Sequence, residues 1–125
     1  MSEEDKAMRI VKSMNFDAAH FLDHDPEARP YARLHGHSFT MEVVIEGEPD
    51  PEAGWVVDFG DVGEALQELH EALDHRLLNE VEGLERPTLE NICRWAAEKL
   101  KTRFPGLAEV RVSRPSIGES CVFTV

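Results

Sequence analysis

The sequence predicts an α+β domain in which a four-stranded antiparallel sheet packs against two helices. Two segments with alternating apolar residues come first, two segments with helical spacing follow, and two further alternating segments end the chain. Strands that flank two consecutive helices can pair with their neighbours in sequence, so this order favours an antiparallel sheet. The 125 residues are enough for one hydrophobic core and too few for two.

The first two strands are predicted from a hydrophobic period of two. Residues 1–7 are expected to form a flexible acidic tail, and a single domain is expected over 8–125. Apolar residues alternate from 8 to 20, and prolines and scattered charges then indicate a loop over 21–34. The strongest strand covers 38–47, with an apolar face of Phe39, Met41, Val43 and Ile45. The two strands are expected to pair as an antiparallel hairpin.

The helices are predicted after a turn at 48–54 and a short extended apolar piece at 55–59. The first helix is capped by Asp58 or Asp61, and its apolar stripe consists of Val62, Leu66, Leu69 and Leu73. The second helix begins after the N-cap Thr88, and its stripe consists of Leu89, Ile92, Ala96, Leu100 and Phe104, before Pro105-Gly106 ends it. Two last strands are predicted at 108–113 and 120–125. Trp55 and Trp95 lie in apolar patterns and are expected in the core.

The composition excludes several classes of partner. Thirteen Lys and Arg residues stand against 25 Asp and Glu residues, a formal charge of −12. Nucleic acids and anionic membranes bind basic surfaces, so neither is an expected partner. The acidic N-terminal residues do not resemble a signal peptide, and a cytoplasmic protein is expected. Two cysteines without a Cys-x-x-Cys motif predict neither a disulfide framework nor a thiolate zinc site.

Three histidines are spaced as metal ligands. His35 and His37 flank Gly36 at the start of the second strand, and residues at i and i+2 point to the same face of a strand. His20 ends the first strand, so antiparallel pairing brings it close to the other two. Three imidazoles around an open fourth position are the ligands of a catalytic zinc ion. The alternative is that they are strand-end histidines bonded to loop backbone.

A carboxylate precedes another histidine at the end of the first helix, in Asp74-His75. A carboxylate orients an imidazole and raises its proton affinity, which suits general acid–base catalysis. The alternative is structural, because the helix dipole alone favours a histidine near the C-terminus of a helix.

Five short motifs occur in an order that resembles one enzyme family. They are Phe16-Asp17-Ala18-Ala19-His20, Leu34-His35-Gly36-His37-Ser38-Phe39, Val57-Asp58-Phe59, Leu73-Asp74-His75-Arg76-Leu77-Leu78-Asn79 and Pro87-Thr88-Leu89-Glu90-Asn91. The series resembles the 6-pyruvoyltetrahydropterin synthase and 6-carboxytetrahydropterin synthase family over residues 8–125. The resemblance implies the tunnelling fold (T-fold), in which the sheets of several subunits close into a barrel. It also implies a homohexamer, a dimer of trimers, whose closed barrel leaves no bare sheet edge.

The resemblance further implies roles for individual residues. The family's zinc ligands are matched by His20, His35 and His37. Its acid–base pair is matched by Asp74 and His75, and a position near the bound pterin is matched by Thr88.

Two positions depart from the family pattern. Tyr31 stands where these enzymes usually carry a catalytic cysteine, four residues before the first histidine of the His-Gly-His motif. A phenol has a pKa near 10 and is a poorer base than a thiolate. Arg114 stands where a glutamate anchors the pterin. Glu119, in the following turn, is the candidate substitute, because a carboxylate accepts the paired N–H donors of a 2-amino-4-oxo pterin.

The resulting leading hypothesis is a zinc-dependent lyase that converts 7,8-dihydroneopterin triphosphate to 6-carboxy-5,6,7,8-tetrahydropterin in the queuosine (deazapurine) pathway. The alternatives within enzymes are 6-pyruvoyltetrahydropterin synthase and a variant aldolase-like cleavage of dihydroneopterin phosphates. The alternative outside enzymes is a non-catalytic module that binds pterins. Arg33, Arg76 and Lys12 are the candidate cations for the phosphate groups.

Overall fold

The elements of the chain occur in the predicted order in the computed structural model, which describes residues 6–23 and 29–125. They are β1 (Met8–His20), β2 (His35–Gly47), α1 (Phe59–Leu73), α2 (Leu89–Leu100), β3 (Leu107–Arg114) and β4 (Glu119–Thr124). Short 3-10 helices lie at Pro30–Ala32, Leu78–Glu80 and Pro115–Ile117. The α+β prediction is confirmed. Most of the predicted tail, residues 1–5, and part of the predicted loop, residues 24–28, lie outside the described residues.

The four strands form one antiparallel sheet in the order β1-β2-β3-β4. In the hairpin of β1 and β2, His20 is the partner of His35 and Ala18 is the partner of His37. Thr40 of β2 pairs with Ser113 of β3. One end of the sheet therefore gathers the last residues of β1 and β3 and the first residues of β2 and β4.

The two helices cover one face of the sheet and bury its apolar residues. Phe16 and Phe39 stack at the centre of the hairpin with ring centroids 4.9 Å apart, and both are buried. Each fully buried side chain of this size contributes about 1.5–3 kcal/mol to the free energy of unfolding. None of the helices in the described part of the chain is long and apolar enough to cross a membrane.

Both helices begin where their caps predict. Of the two candidates for α1, Asp58 is the N-cap, and its carboxylate accepts a hydrogen bond from the Gly60 N–H at 2.8 Å. The Thr88 hydroxyl accepts one from the Asn91 N–H at 3.2 Å and caps α2. The α2 helix ends four residues before Phe104, although Phe104 is buried as predicted.

Gly106 is required by the close approach of two strands. Its carbonyl accepts a hydrogen bond from the Glu46 N–H at 2.8 Å. A Cβ atom at this position would lie 2.3 Å from the Glu46 carbonyl oxygen, which is a steric clash with backbone. Gly106, which with Pro105 was predicted to end the second helix, therefore also sets how closely β3 approaches β2.

The predicted extended piece at 55–59 is wrong. The Asp50 N–H bonds to the Trp55 carbonyl and closes a turn, and Phe59 already belongs to α1. Both ladder positions beside β2 are occupied by β1 and β3, so no sheet position is left there. Trp55 is 50% exposed, against the expectation that it lies in the core, whereas Trp95 is buried at 8%.

Candidate metal centre and active site

Three imidazoles converge at the end of the β1–β2 hairpin. His20, His35 and His37 each offer a ring nitrogen, and these three nitrogens lie within 4.8 Å of one another. The ring centroids are 4.6–5.0 Å apart. The strand register produces this arrangement, since His20 pairs with His35 and His37 lies two residues further along the same face. We call these three residues the histidine cluster.

His20 is prepared for a ligand at one of its nitrogens. Its side chain is completely buried, and Nδ1 lies 3.0 Å from the Pro87 carbonyl oxygen. A carbonyl can only accept, so Nδ1 carries the proton and Nε2 presents a lone pair. Nε2 is buried and has no hydrogen-bond partner among the described residues. Burial lowers the pKa of His20 to about 4, so the ring is neutral near pH 7, the form that binds metals.

The other two members of the cluster are also suited to metal binding. Nδ1 of His35 donates to the Arg33 carbonyl at 2.6 Å, which leaves its Nε2 free of the proton in the neutral ring. Burial, and secondarily the charge of Arg114, lowers the pKa of His37. In the described part of the chain the group has only these three members. Three imidazoles with no fourth protein ligand among the described residues can hold a metal ion that keeps one position for water or substrate.

Asp74 and His75, the predicted acid–base pair, lie at the exposed edge of β1. The Asp74 carboxylate accepts from His75 Nδ1 at 2.7 Å and from the Asp17 backbone N–H at 2.9 Å. The His75 N–H in turn donates to the Asp17 carbonyl. His75 has a φ of 57°, a left-handed conformation that is uncommon outside glycine and is often found at functional sites. The backbone thus fixes the imidazole, whose other nitrogen faces solvent.

The pKa of His75 should be measurably raised by its neighbour. The hydrogen bond and charge of Asp74 raise the pKa of His75, and the hydrogen bonds from Asp17 and His75 lower the pKa of Asp74. The ion pair therefore exists above the pKa of Asp74 and is lost as the pH rises through that of His75. We expect an NMR titration to place the His75 midpoint above that of an unperturbed imidazole. In Asp74→Asn the midpoint should fall, and an unchanged midpoint would contradict the pairing.

The Asp74–His75 pair and the histidine cluster are neighbours but are not in contact. The segment after α1 runs along β1, where the Ala19 N–H donates to the Arg76 carbonyl at 3.0 Å. His37, Ser38, His75 and Arg76 line one open depression of about 610 Å³. Among the described residues, no hydrogen bond or ring contact joins His75 to the histidine cluster.

Arg114 and Glu119 lie at the same end of the sheet. They are partners across β3 and β4, and Arg114 Nη2 lies 2.9 Å from Glu119 Oε1. Thr88 follows Pro87, whose carbonyl bonds to His20, and its hydroxyl is used to cap α2. Tyr31 lies beside the end of β1, where its carbonyl accepts from the Leu22 N–H at 2.8 Å and its hydroxyl from Arg29 at 2.9 Å.

The three candidate cations are not equally placed. Arg76 lines the depression with His75, and the Arg33 carbonyl contacts the ring of His35. Lys12 pairs with Val43, and its ammonium lies 5.7 Å from the centre of the Phe59 ring at the start of α1. Lys12 is therefore too far along β1 to serve this site.

Asn79 and Pro87 also contribute to the site, although no role was predicted for them from the sequence. The Asn79 side chain accepts from the Phe21 N–H at 3.0 Å and donates to the Phe21 carbonyl at 2.9 Å, so it fixes the chain immediately after His20. Asn79 ends the motif that contains Asp74 and His75, and this position in the sequence was the signal that could have identified it. The role of a backbone carbonyl such as that of Pro87 cannot be predicted from the pattern of side chains in the sequence.

Comparisons with known proteins agree with this geometry. A family model described as 6-pyruvoyl tetrahydropterin synthase matches residues 9–124. The chain is 37% identical to dihydroneopterin monophosphate aldolase from Pyrococcus furiosus over 94% of both chains. It is 40% identical to 6-carboxy-5,6,7,8-tetrahydropterin synthase from Synechocystis over 82% of this chain and 83% of that protein. The structure of Caenorhabditis elegans 6-pyruvoyl tetrahydropterin synthase shares the fold, with a TM-score of 0.86 over 99% of both chains at 23% identity.

Proposed function

Because the chain belongs to the 6-pyruvoyl tetrahydropterin synthase family, we propose that it is a zinc-dependent lyase that cleaves the side chain of a 7,8-dihydroneopterin phosphate. The observation that carries the proposal is the buried Nε2 of His20, which has no partner among the described residues and lies in a cluster of three imidazoles. Leaving such an atom unsatisfied costs about 1–3 kcal/mol, and a metal ion satisfies it.

Residue 31 favours aldol-type cleavage over the synthase reaction that the sequence analysis placed first. The family's synthases use a cysteine base, and this chain has Tyr31 in its place. Synthase chemistry removes protons from carbon, whereas a retro-aldol step removes a proton from a hydroxyl. A hydroxyl is far more acidic than a C–H group, so this step does not require a thiolate base. The relative named as an aldolase also matches over 94% of both chains.

The proposed reaction breaks the bond between the first two carbons of the side chain. The hydroxyl proton on the second carbon is removed, and that carbon becomes the aldehyde of glycolaldehyde phosphate. The bonding electron pair passes into the imine of the dihydropterin ring, and a proton is returned to the first carbon to give 6-hydroxymethyl-7,8-dihydropterin. His20, His35 and His37 would hold the zinc ion, which when bound would supply a Lewis acid that makes substrate hydroxyls more acidic.

The acid–base role falls to His75 in this proposal. Asp74 holds Nδ1 of the imidazole and leaves Nε2 to take and return the proton. The raised pKa of His75 makes the imidazole a stronger base, which favours removal of the hydroxyl proton. Arg76 lines the same depression and is placed to bind the phosphate, and Thr88 and Glu119 remain the proposed contacts to the pterin.

Product analysis tests the proposal directly. Zinc-loaded protein is incubated separately with dihydroneopterin monophosphate and triphosphate, and the products are identified by mass spectrometry. We expect 6-hydroxymethyl-7,8-dihydropterin and an aldehyde that retains the phosphate. Substrate that stays intact although pterin binds would instead support the non-catalytic module.

The second candidate function is 6-carboxytetrahydropterin synthase, the first hypothesis from the sequence. The identity of 40% to the Synechocystis enzyme supports it. In that case the same incubation of the triphosphate gives 6-carboxy-5,6,7,8-tetrahydropterin and free inorganic triphosphate. Release of the phosphate chain therefore separates the two candidates, and a 6-pyruvoyl product identifies the remaining synthase reaction.

We extend the proposal to assembly as a homohexamer. Val11 and Val122 are 43% and 57% exposed, and the strand alternation places both on the sheet face that the helices do not cover. β1 and β4 are the two edge strands of the sheet. Joining them between copies pairs both edges and covers these valines. We expect sedimentation at micromolar concentration to give a trimer or hexamer, and a monomer would contradict this part of the proposal.

A further inference from the structure

A nearly buried ion pair lies beside the histidine cluster, and only its carboxylate, as a proposed contact to the pterin, was given a role above. The Arg114 side chain is only 13% exposed, and its Nη2 contacts Glu119 Oε1 at 2.9 Å. The pair spans the ends of β3 and β4. Gly118 has a φ of 67° in the connection between the two strands, a conformation that glycine adopts without strain.

Arg114 has a donor that the protein does not use. Its Nε is buried and, among the described residues, has no hydrogen-bond partner. Buried N–H groups without an acceptor are rare in folded proteins because they lose their hydrogen bonds to water. A ligand that brings an acceptor oxygen to this point satisfies the group.

The guanidinium faces the histidine cluster. Val110 and Val112, which alternate with Arg114 along β3, are completely buried, so Arg114 lies on the sheet face that carries the cluster. Ser113 pairs with Thr40, which brings the end of β3 to the start of β2. The positive charge of Arg114 is, after burial, the next cause of the lowered pKa of His37, as expected of near neighbours.

The chemistry of the pair selects its ligand. Guanidinium and carboxylate together carry no net charge, and the Glu119 carboxylate repels an anion such as phosphate. A donor beside an acceptor matches a neutral heterocyclic edge that presents an oxygen next to N–H groups. The 2-amino-4-oxo edge of a pterin has this pattern, with two kinds of N–H donor and the 4-oxo oxygen.

Building on the proposed function, we propose that Arg114 is a specificity-determining residue that donates its Nε–H to the 4-oxo oxygen of the pterin while Glu119 accepts the pterin N–H groups. Arg114 thereby contributes a third hydrogen bond to recognition of the ring, in addition to those that a carboxylate alone can make.

Equilibrium binding tests this inference without turnover. The ligands are pterin and 4-thiopterin, which keeps the N–H donors but has sulfur, a weak acceptor, in place of the oxygen. We expect the wild-type protein to prefer pterin by about 10-fold, within the worth of a hydrogen bond from a charged donor. In Arg114→Met the preference should fall to within about threefold. Glu119 is 51% exposed, so it remains solvated when its partner is removed and the variant should fold.

Two further variants separate the effect of the Nε–H donor on binding from the effects of charge and of folding. Arg114→Lys keeps a cation for Glu119 but removes the Nε–H, and it should lose the preference as Arg114→Met does. Arg111→Met is the matched control, because Arg111 pairs with Glu109 on the same strand and lies on the opposite face. It should keep the wild-type preference.

Several results overturn the inference. They are no preference in the wild-type protein, a preference that survives in Arg114→Met or Arg114→Lys, and equal weakening of both ligands in these variants. Failure of the proposed function gives a different result, in which pterin binds with the expected preference but dihydroneopterin phosphates are not turned over.

Discussion

Changing His35 to alanine should abolish metal binding. The wild-type protein should hold about one zinc ion per chain through three imidazoles. With His35 removed, two imidazoles remain at the end of the hairpin, and water must supply the other ligands. We expect metal analysis after exhaustive dialysis to show about one zinc per wild-type chain and close to none for His35→Ala. The thermal stabilisation that zinc gives the wild-type protein should disappear in the same variant, because a ligand stabilises a fold only as far as it binds.

His70 provides the matched control for this experiment. It lies in the last turn of α1, where it is 3.8 Å from Asp74, and it is not a member of the histidine cluster. His70→Ala should keep the full zinc content. Full zinc content in His35→Ala would disprove the assignment of the cluster, whereas loss in both variants would indicate a general effect on folding.

Replacing His75 should remove most of the activity and leave the zinc bound. We choose His75→Asn, because asparagine tolerates the left-handed backbone that His75 adopts. The variant cannot carry a proton at this position. A positioned acid–base group typically contributes about 10²–10⁴ in rate, and we expect a loss of turnover of that size. Asp74→Asn should reproduce part of it, since it removes the charge that orients the imidazole.

Substitution of Tyr31 tests whether the site contains a second base. If Tyr31 only fills the space of the family's cysteine, Tyr31→Phe should lower turnover by less than about threefold, because the phenol then takes no part in the proton transfer. A loss as large as that in His75→Asn, with zinc retained, would assign the proton transfer to the phenol. Wild-type turnover in His75→Asn would reject the catalytic role of Asp74 and His75.

The local elements were predictable from the sequence because their signals lie within a few residues. The period of two predicts the strand faces. The cap candidates, Asp58 or Asp61 for the first helix and Thr88 for the second, predict where the helices begin, and the structure selects Asp58. The spacing of His35 and His37 predicts two imidazoles on one face. Antiparallel pairing of the two strands, which follow one another in the sequence, then brings in His20. The α+β fold and the histidine cluster thus follow from short-range rules, whereas Trp55 does not, because its exposure depends on which sheet positions are already occupied.

The electrostatic and hydrogen-bonding state of the site was decided only by the tertiary structure. His20 owes its proton position to the carbonyl of Pro87, 67 residues away in the chain. Arg114, which in the sequence is only a departure from the family pattern, becomes a nearly buried cation with an unused donor through its pairing with Glu119. Sequence patterns report periodicity and residue type along the chain. Burial and the partners of backbone groups arise from contacts between distant segments, and these set the pKa of His20 and the unused donor of Arg114.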